Sequence, residues 1–143
     1  MARVLLDTDI LSEVIKRRDP DVLASAERYL AAEGRFTLSV LSVMEITYGF
    51  HRIDREDRVM QFRSRIADHD VLGFDTATAA IAGRVYADIE GAGTPIGLAD
   101  VMIAAVALQH NLPLVTGNAD HFQAVIRAGH PLELDSWRAR SGR

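Results

Sequence analysis

Short apolar runs along the chain alternate with longer stretches in which apolar residues recur every three or four positions. The runs at residues 3–6, 35–38, 71–73, 112–116 and 132–134 predict five short strands. Between them, helices are predicted over about 10–17, 21–32, 40–50, 54–67, 76–90 and 98–109. Val22, Ala26, Tyr29 and Leu30 form one helical face, with Gly34 just past its end, and Val59, Phe62 and Ile66 form another. The segment Leu98 to Gln109 is apolar on nearly every side and predicts a buried helix. Asp19-Pro20 marks the break between the first two helices, and Gly91 to Gly97 reads as a loop. No repeat, low-complexity tract or linker interrupts the pattern, so residues 1–143 are expected to form a single domain.

Strands joined by helical crossovers pair in parallel, with right-handed connections, and helices cover both faces of the sheet. In such folds ligands gather at the carboxyl edge of the strands. Asp7, Thr8 and Asp9 end the first strand there, and Thr116 to Asp120 end the fourth. Glu45 lies about two turns into a helix that starts at the same edge, and Asp100 lies in the first turn of another. Topology alone thus predicts that Asp7, Glu45, Asp100 and Asp120 come together.

Each acid also has a plainer explanation. Asp7 or Asp9 suits an N-cap, and Glu45 follows Ser42 at capping-box spacing. Asp100 would be favoured by the helix dipole, and Asp120 is an ordinary loop acid. Together the four raise a stronger demand. Two carboxylates ~4 Å apart repel by about 4 kcal/mol at an effective dielectric of ~20, so a fold that gathers them needs a positive charge among them. With no cysteine in the chain, oxygen ligands point to a hard cation, Mg²⁺ or Mn²⁺, rather than zinc.

Composition narrows the class further. A hydrophobic content of 48% and a charged content of 25% are those of an ordinary soluble domain, and the absence of cysteine suits a reducing compartment. The longest apolar run, residues 101–108, falls far short of the ~20 residues that span a bilayer, and a cytoplasmic protein without a membrane association is expected. The net charge of -4 argues against a wholly basic nucleic-acid binder but leaves room for a local positive groove. Arg17, Arg18, Arg52, Arg55, Arg58, Arg63 and Arg65 are the candidates for substrate contact, although pairing with Asp54, Glu56 and Asp57 accounts for most of them.

Four motifs carry a family resemblance: D-T-D at Asp7, S-V-L-S-V-M-E ending at Glu45, G-L-A-D-V-M-I-A-A containing Asp100, and V-T-G-N-A-D-H-F at Val115 to Phe122. In order and spacing the chain resembles PIN-domain ribonucleases, and more closely the VapC toxins of bacterial toxin-antitoxin pairs. The resemblance implies a three-layer α/β fold, a parallel sheet of about five short strands flanked by helices. It implies an endoribonuclease dependent on Mg²⁺ or Mn²⁺, with Asp7 and Asp100 on the metal. Glu45 would bind it directly or through water, and Thr8 and Asn118 would orient the phosphate or the acids. A VapB-type antitoxin, inserting a segment into the acidic site, and a homodimer are implied as partners, with RNA as substrate. One departure stands out: His121 occupies the slot before Phe122 where the family commonly has an acid or His, and Asp120 is displaced by one. Asp120 is taken here as the fourth acid, with Asn118 as the alternative.

Two other classes compete. An aspartyl-phosphate phosphatase also opens with D-x-D after a first strand, but it needs a later lysine, and Lys16 is the only one in the chain. A catalytically silent module could use the acidic pocket to hold a basic peptide; metal binding separates it from a nuclease. The loop G-A-G-T-P-I-G matches no nucleotide-binding motif. His51, His69, His110 and His130 lack ligand spacing and are read as surface or packing residues, and Trp137 as a clamp for the C-terminal segment.

Overall fold

The computed structural model describes residues 2–138; Met1 and residues 139–143 of the expected domain lie outside the described residues. Five strands and seven helices alternate along them. β1 (Leu5–Leu6) leads into α1 (Thr8–Lys16) and α2 (Pro20–Glu33), and β2 (Thr37–Ser39) into α3 (Val40–Arg52) and α4 (Glu56–Ile66). β3 (Asp70–Leu72), α5 (Thr76–Gly91), α6 (Leu98–His110), β4 (Leu114–Val115), α7 (Ala119–Arg127) and β5 (Leu134–Asp135) follow. Every predicted strand is present. Every ladder is parallel, as the crossovers require.

The hydrogen-bonded sets are smaller than the expected single sheet: β1-β4-β5 form one and β2-β3 the other. β2 nevertheless packs beside β1, and Arg3 Nε donates to Thr37 Oγ1 at 3.0 Å across that seam. With β2 on one side of β1 and β4 on the other, strand order reverses at β1. This is where a parallel sheet leaves a crevice at its carboxyl edge.

Successive side chains of a strand point to opposite faces, and the strands here divide the core accordingly. Leu5 and Leu114 pack with α5, α6 and α7, whereas Leu6 and Val115 pack with α1 and α2. The result is three layers. α6 is buried all round through Val101, Ile103, Ala104, Val106 and Ala107, as its uninterrupted apolar sequence demands.

Helix ends follow local chemistry. Asp19 caps α2 by accepting from Asp21 N and Val22 N, with Pro20 in the first turn, and Gly34 closes it in the left-handed region at φ 84. The missed element is α7. Its buried Phe122 and Val125 with Ile126 give the spacing of a short amphipathic helix, tucked directly behind the site loop.

Candidate active site

The cleft lies at the carboxyl ends of β1 and β4. Asp7 caps α1, its Oδ1 accepting from Thr8 N at 2.8 Å, and its Oδ2 accepts from the Thr116 hydroxyl at 2.8 Å. Asp7 N also donates to Val115 O at 2.9 Å, so the ends of the two neighbouring strands are tied around this one acid. Only 5% of Asp7 is exposed. Burial pushes its carboxyl up to about 7 against the pull of the Thr116 hydrogen bond, and the charges of Asp9 and Asp100 push the same way as burial.

Asp9 also faces this cleft, and its carboxyl is likewise raised by burial, with Arg138 opposing. Its oxygens are committed to backbone: Oδ1 accepts from Ile10 N at 2.8 Å and Oδ2 from Gly117 N at 2.9 Å. Asp9 therefore pins the loop after β4 to the start of α1. The N-cap expected of Asp7 or Asp9 falls to Asp7, and Asp9 lies in the first turn of α1.

Glu45 does not complete a capping box. The N-cap of α3 is Ser39, whose Oγ accepts from Ser42 N at 3.3 Å, so Ser42 is already inside the helix. Freed from that duty, Glu45 Oε1 accepts from Thr8 Oγ1 at 2.7 Å, and Thr8 Oγ1 lies 2.8 Å from Ser42 Oγ. Since the Thr8 proton goes to Glu45, Ser42 donates to Thr8, and a directed chain Ser42, Thr8, Glu45 joins α3 to α1.

Asp100, half-buried at the start of α6, has its Oδ2 3.1 Å from His121 Nδ1, and the same ring nitrogen lies 2.9 Å from Asn118 Nδ2. With a proton on Nδ1 the ring donates to Asp100, and in the other tautomer the same nitrogen accepts from Asn118 Nδ2; it does not do both at once. Asn118 N donates to Thr116 Oγ1 at 2.9 Å, which links this group back to Asp7.

Asp7, Thr8, Glu45, Asp100 and Asn118, five of the six predicted site residues, line one cleft of about 670 Å³. Asp120 does not. It is exposed in the first turn of α7, and His121 is the side chain of that segment which reaches Asp100. Successive helical residues point about 100° apart, and with Phe122 in the core it is His121 that turns toward the acids. The slot before Phe122 was the available signal.

Of the candidate arginines, Arg52 lines the cleft, while Arg18 pairs with Glu13 at 3.2 Å and Arg55 with Asp57 at 2.8 Å. Lys16 and Arg138 also line it, and neither was singled out from the sequence as a site residue. His51 pairs with Glu56, His69 accepts from Phe36 N at 3.0 Å and His130 pairs with Asp88, consistent with surface and packing roles.

Among the described residues, no group of three or more His, Asp or Glu side chains is already placed to hold an ion. Mg²⁺ asks for less, because it keeps several waters and typically uses only about one or two protein carboxylates. The carboxylate oxygens suit such a cation, and a positive ion would favour the ionised form of Asp7, which burial first and then the charges of Asp9 and Asp100 disfavour.

Proteins of known family share this parallel α/β fold. The PIN domain family model matches residues 4–127. The tRNA(fMet)-specific endonuclease VapC of Shigella flexneri is 33% identical over 129 residues, covering 87% of this chain and 93% of that protein. Ribonuclease VapC2 of Haemophilus influenzae is 31% identical, covering 96% of this chain and 99% of its own. The solved DNA-bound VapBC of Salmonella typhimurium superposes with a TM-score of 0.81 at 28% identity, covering 96% of this chain and 99% of that one. The chain belongs to the PIN-domain family and, within it, to the VapC group.

Proposed function

We propose that the protein is an endoribonuclease dependent on Mg²⁺ or Mn²⁺, and the toxin of a toxin-antitoxin pair. The observation that carries this reading is the buried Asp7, its carboxyl pushed up to about 7, in one cleft with Glu45 and Asp100. Asp7 and Asp100 would hold the ion. When bound, such an ion stabilises charge on phosphate oxygens and makes a neighbouring water more acidic. The chain's own residues do the positioning. The Thr116 and Thr8 N-H hydrogen bonds fix the Asp7 carboxylate, the Ser42-Thr8 chain fixes Glu45 to align the attacking water, and His121 with its proton on Nδ1 fixes Asp100. Asp120, exposed and outside the cleft, has no part in this arrangement.

The ribonuclease and endonuclease activities for which the relatives are named support the reading, and an initiator tRNA is the first substrate to try because the Shigella relative is named for one. The test is cleavage with Mg²⁺ present, followed by sequencing of fragment 5' ends. Asp7→Asn removes a metal ligand with little change in volume, so cleavage should disappear while circular dichroism stays that of the parent. A folded Asp7→Asn protein that cuts at the parent rate would overturn the assignment.

A VapB-type antitoxin is the proposed partner, in keeping with the Salmonella complex. An apolar groove of about 170 Å³ lined by Leu11, Val14, Phe50 and Phe62 and flanked by Arg17 and Arg58 offers it a docking surface, and Phe50 is shared with the acidic cleft. The homodimer is proposed for a different face. Val40, Met44 and Tyr48 recur every four residues on α3, exposed at 38%, 55% and 61%, and leave an unpaired apolar stripe.

A further inference from the structure

The segment after β5 brings one more cation to the cleft. The Trp137 ring lies 5.6 Å from Tyr29 and 6.3 Å from Phe36, centroid to centroid, and both partners are buried in the core. The clamp expected of Trp137 is therefore present, and it fixes where the next residue emerges. Arg138 follows, with its backbone N donating to Ser136 Oγ at 3.2 Å. Its guanidinium lies directly over Gly117: a Cβ at that position would clash with Nη1 of Arg138 and stand 2.6 Å from Asp9 Oδ2. A side chain at residue 117 would expel it.

The guanidinium faces acids without being used up by them. Nη1 lies 4.0 Å from Asp9 Oδ2 and Nη2 lies 3.9 Å from Glu13 Oε1, both beyond hydrogen-bond reach, and the side chain keeps 37% exposure. These contacts hold the charge in place but leave its planar fork of donors able to meet a new acceptor. It stands at the same cleft as Asp7, Glu45 and Asp100, with Lys16 and Arg52 as further wall residues. Cations beside an acidic floor suit a chain of phosphodiesters: one phosphate meets the acids and their ion, and the next lies against a guanidinium, which matches phosphate geometry bidentately.

We propose that Arg138 is a substrate-binding residue, delivered by the Trp137-anchored C-terminal arm, whose guanidinium takes an RNA backbone phosphate neighbouring the one that is cut. The inference rests on the nuclease reading above and adds to it a specific anchor from the last strand's far side. The competing role is a counter-ion that only neutralises Asp9 and Glu13.

The test uses the full chain with Mg²⁺ and a labelled RNA spanning the mapped cut site. Arg138→Ala should raise KM about tenfold with kcat within about twofold, the size of one charge-assisted contact. The dependence of log kcat/KM on log salt should flatten by about 0.7, one single-strand phosphate contact. Arg138→Lys should recover part of the KM, since it restores charge but not the fork. Arg138→Ala with parental KM and salt dependence, whatever its melting temperature, overturns the inference and leaves the nuclease reading standing. A parent chain that cuts no RNA overturns both.

Discussion

Asp7 links strand pairing, acidity and chemistry in one residue. Its folded carboxyl titrates at about 7 against an ordinary 3.8, so the folded state holds a proton that the unfolded state has released. Stability from this group is therefore fully present below about pH 4 and falls as the pH rises toward 7, by an amount on the order of 4 kcal/mol in the absence of a cation. The raised Asp9 acts in the same direction. Without divalent ions, the urea midpoint of the parent should drop between about pH 5 and pH 8, and that of Asp7→Asn should drop less. Mn²⁺ should restore the parent at the higher pH and not the variant. Equal pH profiles for the two proteins would mean that Asp7 is not the strained acid. Glu45 supports a second residue-scale expectation: Thr8→Val leaves its carboxylate without the 2.7 Å hydroxyl and should lower kcat about tenfold or more while the chain stays folded, checked by single-turnover cleavage.

At the scale of elements, α2 is fastened to the residue just before β1, the strand that leads into Asp7. Tyr29, fully buried on α2, accepts at its hydroxyl from Val4 N at 3.1 Å, and its ring also packs against Trp137. Tyr29→Phe leaves that N-H unpaired and should lower unfolding free energy by about 1–3 kcal/mol in urea melts. A change near zero would mean that water replaces the phenol. The same elements mark what the sequence made legible. Strands and crossovers could be read because short continuous apolar runs and a period near three and a half differ plainly, and parallel topology then obliged Asp7, Glu45 and Asp100 to share an edge. The role of Asp120 could not be read reliably, because it depends on the phase of α7, and a shift of one residue in the helix start exchanges Asp120 for His121. Glu45 as a capping acid was equally plausible until the N-cap of α3 fell at Ser39 rather than Ser42. Arg138 carries no periodic signal at all, since what places it is the packing of Trp137 on residues more than a hundred positions earlier in the chain.

For the whole molecule, three layers set the acids at the strand-order reversal, the arginine-flanked apolar groove beside them and the α3 stripe on an open face. Met44→Asp should break the proposed pairing of two copies, halving the mass measured by sedimentation equilibrium, and leave cleavage of RNA by the monomer to be read separately. The account as a whole turns on acids from remote segments sharing a divalent ion. No helix of the described residues is long and apolar enough to cross a membrane. The most direct measurement is calorimetric titration of the parent, Asp7→Asn and Asp100→Asn with Mn²⁺ at neutral pH. Saturable binding by the parent that both substitutions abolish or weaken at least about tenfold is the predicted result. Parental affinity in both variants, or no binding in any of the three, would contradict the account.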